Sequence, residues 1–219
     1  MGIKKPPIYL LSPTPKDEVH HLPMIEFKII YQYIDFHKFD GLIITSKQGI
    51  MALDEISRGK WKTLPVAVIG KLTAKEVEKL GGEVIFIATE AYGDVLAYEL
   101  ALKFKNFKWL YPRPKVVVSK IAKNLRDFGI EVEERIIYQT NCAYYDSSLK
   151  PCKEAVLVFT SPSVVKCFFK NFSWDESWKA VALGKKTALA FPKYLKPKVS
   201  PSTSIKEAIN FAKNIHGYF

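Results

Sequence analysis

Apolar runs of about four residues recur along this chain, each stopped by Gly, Pro or a hydroxyl residue, with stretches of helical spacing between them. Runs of that length read as buried strands, and apolar residues three and four apart read as helices. Ile8 to Leu11, stopped by Ser12-Pro13-Thr14-Pro15, predicts a first strand. Pro13, Pro15 and Pro23 leave little room for a helix after it. Glu26 to Tyr33 alternates polar and apolar, the pattern of a half-exposed strand. From Gly41 the order is strand then helix. Leu42 to Thr45 ends at Ser46, and a helix follows through Ile50, Leu53 and Ile56. Val66 to Ile69 gives way at Gly70 to a helix with Thr73 as candidate N-cap and Glu76 three residues on, stopped by Gly81-Gly82. A strand over 84–87 precedes a helix through Val95, Leu96, Leu100 and Leu102. Lys108 to Tyr111 is a strand closed by Pro112 and Pro114, and a helix through Val117, Ile121 and Leu125 ends at Gly129. Val132 to Tyr138 is a partly polar strand, a natural partner for the alternating segment near residue 30. Beyond Ala155 come strands at 156–160, 180–183 and, weakly, 198–200. The last helix runs from Ser204, with Glu207 three residues on, to Ile215.

Two of these stretches occur twice. Leu42-Ile43-Ile44-Thr45-Ser46 matches Leu157-Val158-Phe159-Thr160-Ser161, and the two serines are 115 residues apart. Ile69-Gly70-Lys71-Leu72-Thr73-Ala74 matches Leu183-Gly184-Lys185-Lys186-Thr187-Ala188, with the threonines 114 apart. Unlike motifs in the same order at nearly one offset indicate an internal duplication. The expectation is an α/β protein of two similar three-layer domains, each a parallel sheet with helices on both faces. The later unit has few strands of its own, and the strand near Ile8 is the obvious supplement. One domain is therefore expected to be discontinuous, residues 1–34 plus 141–219, with residues 35–140 inserted and a two-stranded β-ladder joining the two.

Composition narrows the classes. Hydrophobic residues make up 48% of 219 and charged residues 25%, a globular balance, and no apolar run approaches a membrane span. Met1 to Pro7 carries basic residues without the apolar segment of a signal peptide. Cys142, Cys152 and Cys167 are odd in number and lack CxxC spacing, which argues against a disulfide framework and a zinc site and fits a reducing cytoplasm. His20 and His21 are adjacent, so on a strand they face opposite sides, while His37 and His216 are scattered; no metal site is expected. Neither GxGxxG nor GxxxxGK[ST] is present, so nucleotide sites lack their usual signal. The net charge is +11, and Lys179 to Phe219 alone holds eight Lys against one acid, Glu207. Such a surface suits a polyanion, although a Lys-rich solvated face gives the same count.

Placement says more about chemistry than content does. In open parallel sheets, ligands sit beyond the carboxyl ends of the strands, where helix N-termini point. Ser46, Thr73, Ser161, Ser163 and Thr187 all fall in such turns. Free N–H groups there attract carboxylates or phosphates, though each terminus contributes only about 0.3–1 kcal/mol, so several must surround one ligand. A Ser or Thr in such a turn also serves as a plain helix cap.

Taken in order, these motifs resemble the uroporphyrinogen-III synthase family of tetrapyrrole biosynthesis. The resemblance is carried by Gly41 to Ser46, Val68 to Ala74, Leu125-Arg126-Asp127-Phe128-Gly129-Ile130 with Ile137-Tyr138-Gln139-Thr140, Val158 to Ser163, Ala182 to Ala188, and Ser200 to Ser204. It spans nearly the whole chain. It implies two α/β domains joined by a ladder, and a lyase without a cofactor or metal. The reaction would cyclise hydroxymethylbilane, a linear tetrapyrrole with eight carboxylates, with loss of water and inversion of the last ring. Tyr138 matches the family's linker-strand tyrosine, which faces the cleft, and is the candidate general acid. Thr187 matches a cleft-facing threonine at a helix start. Thr45, Ser46, Lys47, Lys71 and Thr73 are the expected substrate contacts of the inserted domain, with Arg113. Ser161, Ser163, Lys185 and Lys186 are those of the other.

The chain departs from the family in lacking a full helix between Ser12 and Pro23, and in carrying Lys47 where proline is common. The implied partner is a small polycarboxylate, with no membrane or nucleic acid, and the implied state a cytoplasmic monomer. The competing class is a non-enzymatic basic module for RNA or another polyanion. It would need aromatics interleaved with Arg on one face, whereas the basic residues here are mostly Lys. A third class, a two-domain small-molecule receptor, is disfavoured in its periplasmic form by the missing secretion signal.

Overall fold

The apolar runs become strands and the amphipathic stretches helices in the computed structural model, which describes residues 6–117 and 119–215. The readings made on Met1 to Lys5 and on His216 lie outside the described residues. In chain order come β1 (Ile8–Leu10), β2 (His20–His21), β3 (Ile25–Ile29), β4 (Gly41–Ile44), α1 (Lys47–Ser57), β5 (Val66–Val68) and α2 (Lys71–Lys79). They are followed by β6 (Val84–Ile87), α3 (Gly93–Lys103), β7 (Trp109–Pro114), α4 (Ile121–Asp127) and β8 (Val132–Cys142). The remainder is β9 (Val156–Phe159), α5 (Pro162–Asn171), β10 (Lys179–Ala182), α6 (Lys185–Ala188), β11 (Lys198–Val199) and α7 (Ile205–Asn214). No helix among the described residues is long and apolar enough to cross a membrane.

The chain forms two compact units, Met1–Glu26 with Asn141–Phe219, and Phe27–Thr140. The Phe27–Thr140 unit is built on a sheet of order β3-β8-β7-β4-β5-β6, in which β8, β7, β4, β5 and β6 pair in parallel. Strand alternation sorts its core into two faces. Leu42, Ile44, Val66 and Val68 pack with Ile50, Leu53 and Val77 of α1 and α2. Ile43, Ala67, Trp109 and Tyr111 pack with Leu96, Leu100, Ile121 and Leu125 of α3 and α4. A sheet buried on both sides needs apolar residues at every position, which is why Gly41–Ile44 is buried throughout. β3 and β8 are neighbours, as expected for the two partly polar strands, and Ile30 donates its N–H to the Ile137 carbonyl at 2.8 Å. β8 also pairs with β7, so this ladder continues the sheet.

The other unit has a sheet of order β11-β10-β9-β1-β2, parallel throughout. One face, from Ile8, Leu10, Val156, Val158 and Val181, packs on Ala208, Ile209 and Ala212 of α7. On α5, Phe168 sits edge-on to Phe159 with ring centroids 5.2 Å apart. Both units are thus α/β with parallel sheets.

Four local expectations need correction. Thr73 is not the N-cap of α2: the helix starts after Gly70, and Thr73 is buried within its first turn. The T-x-x-E spacing was coincidental, because β5 ends at Val68 and the helix begins as soon as Gly70 turns the chain. Pro112 and Pro114 do not close β7 but lie in it. β7 pairs with β4 only at Trp109 and Leu110, and beyond that point proline's missing N–H breaks no ladder on that side. The proline-rich segment after β1 contains a short strand, β2, that the punctuation concealed. Finally, Cys142 and Cys167 are disulfide-bonded, which overturns the expectation of no disulfide; Cys152 is the free thiol. The spacing gave no warning, since the end of β8 and the middle of α5 meet only in the fold.

Candidate active site

Each sheet reverses its winding once. From β4 the chain moves outward to β5 and β6, then returns to place β7 on the opposite flank of β4. The crevice between the carboxyl ends of β4 and β7 is therefore the topological switch point of the Phe27–Thr140 unit, the place where such sheets bind ligands. In the other sheet β2 lies on one flank of β1 and β9 on the other, so its switch point lies between β1 and β9.

Thr45 and Ser46 follow β4 directly into the first crevice. Ser46 is the N-cap of α1, and its Oγ accepts the Gly49 N–H at 3.0 Å. The same Oγ lies 3.1 Å from the Tyr138 hydroxyl on β8. Tyr138 is only 5% exposed, and burial raises its pKa above the ordinary phenol value, against the lowering effect of the Ser46 hydrogen bond. Its ring also meets Phe27 edge-on at 6.1 Å. Arg113, on β7, donates from Nε to Glu134 Oε1 at 3.1 Å and from Nη1 to the Pro114 carbonyl at 2.9 Å. Lys47 opens α1 but is paired with Glu76 at 3.2 Å. Lys71 opens α2 and is exposed, with no side-chain cap on Gly70 to occupy the first amides of that helix. Thr45, Ser46, Lys47, Lys71, Thr73, Arg113 and Tyr138 thus gather at the carboxyl edge of one sheet.

The second group gathers likewise in its own unit. Ser161 caps α5, accepting the Val164 N–H at 3.3 Å, and Ser163 is exposed on the first turn. Lys185 and Lys186 are exposed after β10, while Thr187 is 5% exposed. Ser204 stands before α7 as expected, but its side chain makes no cap hydrogen bond.

Sequence reasoning missed two features of these edges. Tyr111 on β7 is buried, and burial raises its pKa, while the Thr45 hydroxyl and the Arg113 guanidinium pull it down. Tyr111 in turn raises the Tyr138 pKa, and the consecutive hydroxyls Thr45 and Ser46 each lower the pKa of one of the two phenols. Nothing in Trp109-Leu110-Tyr111 sets that tyrosine apart from an apolar strand residue. The other feature is His21, whose Nε2 donates to the Ser12 carbonyl at 2.7 Å just beyond β1. Among the described residues no group of His, Cys, Asp and Glu is arranged to hold a metal ion. At the opposite, amino-terminal edge a hollow of about 660 Å³ is lined by Lys108, Arg126, Glu131, Glu133 and Glu134, too acidic for a polycarboxylate.

Comparison with known proteins points to one family. The family model described as uroporphyrinogen-III synthase HemD matches residues 17–209. No curated protein matches the sequence. Among solved structures, the uroporphyrinogen-III synthetase of Helicobacter pylori superposes with a TM-score of 0.80 at 22% identity, covering 94% of this chain and 98% of that one. A mutant uroporphyrinogen III synthase from Thermus thermophilus superposes at 0.54 and 13% identity, covering 94% and 96%. At these identities the structural likeness establishes the fold, and the family match carries the rest.

Proposed function

The chain belongs to the uroporphyrinogen-III synthase HemD family, and we propose that it cyclises hydroxymethylbilane to uroporphyrinogen III, inverting the last pyrrole ring and releasing water. The observation that carries this reading is the family match over residues 17–209, which includes every candidate site residue. The enzyme is a cyclising lyase. The alternative of a non-enzymatic polyanion-binding module is set aside, because that match covers most of both units, from residue 17 to residue 209.

The chemistry follows from what the carboxyl edges offer. The hydroxymethyl oxygen leaves as water only if it receives a proton. Tyr138 is a phenol whose pKa burial raises, so it holds its proton at neutral pH. It is the general acid in this reading. Departure of water leaves an electrophilic methylene conjugated to the first pyrrole, which the last ring attacks at its substituted carbon. Rearrangement inverts that ring, and a final proton loss restores aromaticity and returns a proton to the phenolate. Net loss is one water. The substrate's carboxylates are held by Lys71 and the free amides of α2, and by Lys185 and Lys186, with Thr73 and Thr187 buried beneath. Orientation by such contacts supplies much of the rate. We place the enzyme in the cytoplasm as a monomer, where the Cys142–Cys167 pair faces a reducing poise.

The test is to supply enzymatically made hydroxymethylbilane to the purified protein and separate the product isomers. Spontaneous closure yields the type I isomer. A type III excess over a blank is the expected result, and its absence overturns the reading.

A further inference from the structure

Ser46 was expected to bind a substrate carboxylate, and its surroundings suit a different task. A serine hydroxyl has one proton to donate and two lone pairs. One lone pair is taken by the Gly49 N–H at 3.0 Å. The nearest other polar partner is the Tyr138 hydroxyl at 3.1 Å. A phenol that gives its proton to Ser46 has none aimed at a substrate. A phenol that accepts the Ser46 proton keeps its own free and gains a donor for the phenolate it becomes.

We propose that Ser46 is the positioning residue for Tyr138, donating its O–H to the phenol oxygen so that the phenol proton is left for the departing substrate hydroxyl. In that step the carbon–oxygen bond breaks with its electrons on oxygen, the Tyr138 proton completes a water molecule, and the phenolate retains the Ser46 hydrogen bond. The proton released when the closed ring regains aromaticity restores the phenol. This inference rests on the cyclase reading above and adds a role for a residue that touches Tyr138 instead of the substrate.

Two further features support it. Gly49 leaves room for the Ser46 hydroxyl: a Cβ there would crowd Ser46 Oγ at 3.2 Å, while Tyr138 Cε1, at 3.9 Å, would be in ordinary contact. The capping bond also fixes Ser46. Its Oγ cannot turn away from Gly49 without exposing an α1 amide, so the helix start holds the donor and the donor holds the phenol.

The experiment is a double-mutant cycle on type III formation with Ser46→Ala, Tyr138→Phe and the combined variant. Ser46→Ala alone lowers kcat about tenfold or more, with KM within about twofold. In the Tyr138→Phe background the same change alters kcat by less than about twofold, because its effect passes through the missing hydroxyl. Ser46→Thr keeps the donor and restores kcat. Ser46→Asp keeps the cap acceptor but has no proton to give, so it folds and remains as slow as Ser46→Ala. The proposal is overturned if the two losses multiply, if Ser46→Asp keeps the wild-type kcat, or if Tyr138→Phe itself is silent while wild type still makes type III. A wild-type protein that makes no type III isomer overturns the cyclase reading itself, a separate and recognisable outcome.

Discussion

Lys47 Nζ lies 3.2 Å from Glu76 Oε2, tying the first residue of α1 to α2. The pair is half-exposed on the lysine side, with 57% of that side chain accessible against 16% for the glutamate. A cation at the switch point is thereby partly neutralised. Removing the partner frees it, so Glu76→Gln is expected to tighten a polycarboxylate porphyrinogen analogue by roughly two- to fivefold at low salt, the scale of one exposed unit charge. The gain should shrink as ionic strength rises. Titration calorimetry at low and high salt checks this; weaker binding by Glu76→Gln would mean that the anion sits elsewhere.

The Tyr138 hydroxyl is the proton source in the proposed reaction, and only that atom is lost in Tyr138→Phe. Turnover should fall by about one to three orders of magnitude. Folding should be intact, because the ring and its contact with Phe27 remain. Thr187→Val, buried beneath the Lys185-Lys186 turn, should act mainly on KM. Steady-state rates and the type III fraction for both variants, with melting curves, separate the two effects.

Burial raises the pKa of both Tyr111 and Tyr138 in the folded protein. A raised acid pKa means that the folded state holds the proton more tightly than the unfolded chain. The stability this represents is complete below the ordinary phenol value near 10 and is lost as pH climbs through the higher folded values. Urea midpoints should therefore fall above pH 10. Tyr111→Phe or Tyr138→Phe should flatten that fall, and an unchanged slope would show that these phenols do not ionise on unfolding.

Cys142 and Cys167 enclose a segment of 25 residues by sequence separation. Chain-entropy reasoning assigns such a crosslink about 3 kcal/mol. Asn171 clamps the same region without sulfur, donating from Nδ2 to the Ala143 and Cys167 carbonyls at 2.8 and 2.9 Å. Reduction should thus lower the melting temperature without unfolding the protein. Thiol titration in denaturant should find one reactive group, Cys152, before reduction and all three after it.

What could be read from the sequence was local in origin. Ser46 and Ser161 announce themselves as caps because each stands between an apolar run and a helical pattern, and both cap in the fold. The alternation of strand and helix yields the parallel sheets because few other arrangements bury such runs on both sides. What escaped was set by long-range pairing. Tyr138 and Ser46 are 92 residues apart, and their hydrogen bond follows from β8 and β4 flanking β7 in one sheet. Tyr111 was hidden by its apolar neighbours, and Thr73 was misread because a capping-box spacing arose inside a helix that began earlier.

The two prolines of β7 have a bearing on ligand entry. Trp109 and Lys115 donate their N–H groups to the Glu131 and Tyr138 carbonyls, toward β8. By strand alternation, the backbone of residues 112 and 114 faces the side of β4, where pairing has already ended. Any other residue there would present an amide that holds water, and a ligand entering the gap would have to strip it away. Proline presents no amide. The Pro114 carbonyl is already occupied by Arg113. The β4-facing edge of β7 therefore carries two fewer amides to dehydrate when an apolar group approaches it.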